Sequence, residues 1–149
     1  MFTPGMLRDE RVEADWIEGF VAMREHTAMG PIGADLISID DDGLVIEATI
    51  SDAMRQPMGL LHGGVSMLLA ETAASLHSAW CADLTKSAPV GIEINGTHVS
   101  SAREGRVRAH ARVVRRAKAF VFHEIDITHV ETGRLLCKSR VTNYLKPHG

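Results

Sequence analysis

Apolar and polar residues alternate along this chain with two different periods, and the switches between them mark its elements. From Val12 to His26 the residues Trp16, Ile17, Phe20, Val21 and Met23 recur near helical spacing. Glu13, Asp15 and Glu18 stand near the start of that stretch, where the helix dipole favours acids. Met29-Gly30-Pro31 ends it. Ile32 to Ile39 and Leu44 to Ile50 read as strands. Asp40-Asp41-Asp42-Gly43 between them is hairpin-turn chemistry, because Asp and Gly tolerate positive φ. A loop with Pro57 and Gly59 follows. From His62 to about Trp80 the period is helical again, with Val65, Leu68, Leu69, Thr72 and Leu76 on one face and small residues over much of the rest. A helix that is apolar or small nearly all round is buried on most sides. Gly91 to Ser100 is the next strand. Val107, Ala109, Ala111 and Val113 then face one way and Arg106, Arg108, His110 and Arg112 the other, as in a half-solvated strand. Val121, His123, Ile125 and Ile127 repeat that pattern, and Leu135 to Leu145 closes the set, with turns at Glu104-Gly105 and Thr132-Gly133. The order is helix, two strands, one long buried helix, four strands. It predicts an α+β fold with the long helix laid on an antiparallel sheet.

Composition changes this picture little. The 149 residues suit one domain, 1–149, with an N-terminal helix at about 12–26. At 45% hydrophobic and 23% charged the chain matches an ordinary globular protein that folds without disulfide or metal. A net charge of -3 gives no global reason for nucleic-acid binding, so an anionic ligand needs a local cluster of cations. Cys81 and Cys137 lack metal-site or redox-motif spacing and read as reduced thiols of a cytoplasmic protein. No apolar run has membrane-span length, and the N-terminal stretch has no signal-peptide core.

The chemistry concentrates between Gln56 and Ser75. Gly63-Gly64 opens the long helix, where unpaired amides and the positive dipole end suit an oxygen that becomes negative in a transition state. Two glycines can equally serve a tight turn. Glu71 is the one Asp, Glu, Lys or Arg between His62 and Trp80, and a carboxylate on such a helix is costly unless paired or used. An edge-exposed glutamate is the alternative. Ser75 lies four residues on, on the same face, placed to orient a water or the carboxylate. Gln56 and His62 sit on the approach loop. Arg115, Arg116 and Lys118 cluster where two strands connect, and Arg103 and Arg106 flank another turn. These are cations for phosphate groups or a solvated basic edge. HExxH, GxSxG and Walker A patterns are missing, and the histidines have no compact metal-ligand spacing, so no metal is expected.

The run Gln56-x-x-Gly59-x-x-His62-Gly63-Gly64-x-x-x-x-Leu69-x-Glu71-x-x-x-Ser75 resembles the active-site signature of PaaI-like hotdog thioesterases. It is most similar to the branch acting on 4-hydroxybenzoyl-CoA, 1,4-dihydroxy-2-naphthoyl-CoA and related thioesters. The stretch from Val90 to Gly105 also looks like that branch, and the likeness runs from about Gly30 to Leu145. The resemblance implies a hotdog fold, a long helix wrapped by an antiparallel sheet, and hydrolysis of acyl- or aroyl-CoA. It implies Glu71 as nucleophile or general base and the Gly63 amide as oxyanion donor. Gln56 would meet the thioester carbonyl or the water, Ser75 would support the water, and Gly64, His62 and His98 would line the pocket. CoA belongs to the substrate, and no further cofactor is implied. Met58 stands where this branch commonly has a bulkier aromatic, which leaves the acyl group open.

Gly63 and Glu71 are eight residues apart, about 12 Å along a straight helix, too far to meet one thioester carbon. Hotdog proteins pair edge to edge with antiparallel helices, which implies a homodimer with shared sites and then a dimer of dimers, a homotetramer. Two other activities fit a hotdog chain. A dehydratase or hydratase would carry a catalytic His or Asp–His pair on the preceding loop, and a non-catalytic acyl-CoA binding module would have lost the carboxylate.

Overall fold

The computed structural model describes residues 12–149. Helix α1 is Glu13–Arg24, followed by strands β1 (Asp35–Ile39) and β2 (Gly43–Thr49), the long helix α2 (Gly63–Cys81), and strands β3 (Ser87–His98), β4 (Arg106–Arg116), β5 (Phe120–His129) and β6 (Leu135–Pro147). The six strands form one antiparallel sheet in the order β1-β2-β4-β5-β6-β3, and α2 lies against it. This is the hotdog arrangement, and the α+β reading holds. β3 is an edge strand paired with β6 alone, so Pro89 within it is tolerated.

Several local expectations need correction. β3 begins at Ser87 rather than Gly91. β1 begins at Asp35 rather than Ile32, because residues 29–34 are taken up by turns in which the Gly33 amide donates to Gly30 and the Ala34 amide to Met29. No residue of the Asp40–Gly43 turn takes positive φ. Instead the Asp40 carboxylate accepts the amides of Asp42 and Gly43 at 2.8 and 3.0 Å, closing the turn from its side chain. On α1, Trp16 and Phe20 are buried and Val21 is exposed. Trp16 packs edge to face on Trp80 of α2, with ring centroids 5.5 Å apart.

α2 meets the sheet through a face made mostly of small residues. Ser66, Ala70, Ala73, Ala74 and His77 are buried there beside Leu69. Small side chains let the helix axis come close to a sheet whose inner face includes Ile46, Ala109, Ile125 and Val141. Leu68, Thr72 and Leu76 are only half-buried. They line a cavity instead. On the outer face of the sheet the charged residues pair across strands: Glu47 with Arg106 and Arg108, and Asp126 with Arg112 and Lys138.

Candidate active site

The loop before α2 is pinned by backbone bonds from the Leu61 amide to Ala102 and from the His62 amide to Met54, both 2.8 Å. His62 is the N-cap of α2, and its Nδ1 accepts the Gly64 amide at 2.8 Å. The amides of Val65 and Ser66 donate to the His62 carbonyl at 2.9 and 3.3 Å. Among the described residues no group accepts from the Gly63 amide. The helix therefore begins with one free donor at its positive end. The His98 ring lies directly on Gly63: a Cβ there would stand 2.7 Å from His98 Nε2, so only glycine admits this contact. Gln56, Gly63, Ser66 and His98 line a cavity of about 230 Å³. The Gln56 side-chain oxygen accepts the Met58 amide, which leaves the Gln56 NH2 to donate elsewhere.

Glu71 and Ser75 line a different cavity, of about 510 Å³. Its apolar wall comes from Leu68, Leu76 and Ala79 of α2, Met23 of α1, and Leu84, Ala88 and Pro89, with Thr72 and the C-terminal His148 adding polar groups. The expected burial of Glu71 is not met within one chain. Its side chain is exposed, because it leaves α2 on the side of edge strand β3 and extends over Gly91, where the chain provides no further layer. Ser75 Oγ accepts a hydrogen bond from Asn143 Nδ2 of β6 at 2.9 Å.

Gly63 and Glu71 thus sit in separate cavities at different points along α2, as the rise of a helix requires. The basic residues gather at neither. Arg115 lines a groove of the outer sheet face with Phe122, Glu124 and Arg140. Arg116 donates to the Asp41 carbonyl. Lys118 is exposed on the β4–β5 turn. Arg106 pairs with Glu47 and Glu131, and Arg103 donates to the Met58 carbonyl at 2.9 Å. As site residues, Asn143, Met23 and His148 are passed over by pattern reading of the chain, which takes Met23 only as part of the apolar stripe of α1. Of these only Asn143 gives a signal in sequence: an amide on the inward face of an otherwise small or apolar strand.

A profile described as the thioesterase superfamily matches residues 58–143. The chain is 38% identical over 126 residues to the 1,4-dihydroxy-2-naphthoyl-CoA hydrolase of Escherichia coli, covering 85% of this chain and 91% of that one. It is 38% identical over 115 residues to the protein of the same description from Listeria monocytogenes, covering 77% and 92%. A crystal structure of a mutant thioesterase from Pseudomonas aeruginosa superposes with a TM-score of 0.85 at 30% identity, covering 89% of this chain and 94% of that one.

Proposed function

The chain belongs to the thioesterase superfamily, and we propose that this acyl-CoA thioesterase cleaves acyl- or aroyl-CoA between Glu71 of one protomer and the Gly63 amide of its partner. The observation that carries this is the division just described: a free amide at the start of α2 and a carboxylate further along it, each in its own cavity. Two copies joined through the free edge of β3, with antiparallel α2 helices, would bring each half to its complement. Val90, Ile92 and Val99 are exposed along and just beyond this strand, as a pairing surface requires. The same pairing would cover Glu71.

In such a site the thioester carbonyl oxygen accepts the Gly63 N–H, and the Gln56 NH2 is free to donate to it. Negative charge that develops on that oxygen meets the positive end of α2. Glu71 either adds to the carbonyl carbon or takes the proton of a water that adds there. The C–S bond breaks and the thiolate leaves as CoA and takes up a proton; the acid is then released directly where water has added, or after water cleaves the acyl-Glu71 anhydride and restores the carboxylate where Glu71 has added. The apolar cavity beside Glu71 holds the acyl group, and CoA is the only cofactor-like group involved. Arg115, Arg116 and Lys118, which stand outside both cavities, would meet the CoA phosphates at the far end of the substrate. The enzyme works in the cytoplasm as a dimer of dimers. The buried free thiol of Cys137 supports that compartment. Among the described residues no helix is long and apolar enough to cross a membrane.

The test is release of free thiol from a panel of acyl-CoA esters by Glu71→Ala and Glu71→Gln. Both variants should keep the fold and lose about 10²-fold or more in turnover. Near-normal turnover in Glu71→Ala would remove this mechanism.

A further inference from the structure

Asn143 is fully buried in the middle of the inward face of β6, opposite Gly91 on β3 and Val121 on β5. An asparagine is a poor strand former, and burying its amide costs stability unless all of it is bonded. Here it is not. Nδ2 donates to Ser75 Oγ, while Oδ1 is buried with no partner among the described residues. A leucine or valine would pack this position at lower cost, so the amide has another use. Its surroundings indicate which. The point where a Cβ on Gly91 would stand lies 3.8 Å from Asn143 Nδ2 and also touches the Glu71 carboxylate. Asn143, Ser75 and Glu71 therefore meet over one gap in the edge strand.

We propose that Asn143 is a positioning residue that turns the Ser75 hydroxyl into a donor toward the water attacking beside Glu71. A serine hydroxyl has one proton to give and can accept two. With one acceptor position filled by Asn143 Nδ2, the O–H points away from β6, into the cavity that Ser75 shares with Glu71. A water held there accepts from Ser75 and keeps a lone pair for the carbonyl carbon. Its proton is left for Glu71. Where water attacks the thioester, Glu71 takes that proton as base; where it attacks an acyl-Glu71 anhydride, the anhydride C–O bond breaks and Glu71 takes the proton as the leaving carboxylate, with Ser75 holding the water in the same way. The inference rests on the site proposed above, with Glu71 at its centre.

Asn143→Leu and Ser75→Ala, singly and together, separate this role from a packing role. Asn143→Leu should lower kcat by about tenfold with KM little changed, while the thermal midpoint holds or rises because the half-bonded amide is gone. In the double variant the Asn143 change should add almost nothing to the loss from Ser75→Ala. Asn143→Thr, a good strand former too short to reach Ser75, serves where the leucine variant folds poorly, and should show the same loss. Unchanged kcat in both Asn143 variants would overturn the assignment. So would losses that multiply in the double variant, or a kcat that falls only in step with the thermal midpoint. Glu71→Ala in the same assay separates the two levels. If it is inactive while Asn143→Leu and Asn143→Thr keep full kcat, only the positioning role fails; if it keeps turnover, the site fails and this role with it.

Discussion

The Glu71 carboxylate rests where Gly91 has no side chain: Oε1 lies 2.8 Å from the place a Cβ on Gly91 would occupy. A methyl group there meets the end of a flexible side chain rather than backbone, so the carboxylate gives way and the fold does not. Gly91→Ala should therefore leave the thermal midpoint unchanged or slightly higher, since alanine costs the chain less on folding. Turnover should fall by about tenfold as the carboxylate is displaced from its working position. Thiol release and a melting curve on the same preparation check this, and an unchanged kcat would show that the carboxylate does not work from over Gly91.

A second relationship concerns stability. His77 of α2 and His123 of β5 are both buried, with His77 Nδ1 2.7 Å from His123 Nε2. His77 Nε2 donates to the Asp40 carbonyl at 3.0 Å, so a neutral His77 accepts at Nδ1 from His123 Nε2–H. His123 Nδ1 is then bare, buried without a partner among the described residues. Burial pushes the His77 pKa below its ordinary 6.5, against the raising effect of the Asp40 carbonyl. Burial, and then repulsion from His77 and Arg116, brings His123 down to about 3. The unfolded chain takes up these protons first. The stability contributed by the neutral pair is thus complete above about pH 6.5 and is lost as pH falls toward the folded values. His110, lowered chiefly by burial and also by Arg112, acts in the same window. The lowered carboxylates Asp83 and Glu131 act only below their ordinary 3.8 and 4.5. The melting temperature should fall between about pH 7 and about pH 5, and the slope should flatten in His123→Gln, which can still donate to His77. An equal slope in that variant would assign the loss to other groups.

What the pattern of residues reveals here depends on whether an element meets its own chain. β4 and β5 alternate legibly because one face packs under α2 and the other carries paired charges. The helix-start motif is legible because its spacing is local. Three things are not. The period of α2 groups Leu68, Leu69, Thr72 and Leu76 on one face but does not say what that face meets, and while Leu69 packs in the core the other three line a cavity. The sequence leaves Glu71 either buried and used or exposed at an edge, and its exposure follows from the position of β3 at the sheet edge. Asn143, Met23 and His148 join Glu71 and Ser75 only through the topology, which brings α1, β6 and the residue just after β6 to the middle helix.

Met23 bears on substrate choice. It reaches from α1 into the cavity that holds Glu71, on a flexible and adaptable side chain. Met23→Ala should enlarge the acyl end and raise kcat/KM for long or bulky acyl groups relative to short ones by about tenfold, the order expected from a methylene or two of apolar contact. Met23→Trp should shift the ratio the other way. A chain-length series of acyl-CoA esters reads both. If neither variant moves the ratio, the acyl group does not extend toward α1.

The separation of Gly63 from Glu71 gives the sharpest test of the shared site. Glu71→Ala disables one half-site. Gly63→Pro disables the other by removing the N–H, and proline is tolerated in the first turn of a helix. Because a Cβ at position 63 would meet His98 Nε2 at 2.7 Å, that variant also pushes the His98 ring aside. His98 lines the same small cavity as Gly63, so the damage stays within one half. Each variant alone should be inactive. A heterodimer of the two, isolated with two different tags, contains one site with both defects and one with neither if each site draws on both chains. It should show about half the activity of an intact dimer. Heterodimers that form in good yield and stay inactive would place Gly63 and Glu71 of each site in a single chain. That would require α2 to bend or unwind enough to close a gap of about 12 Å.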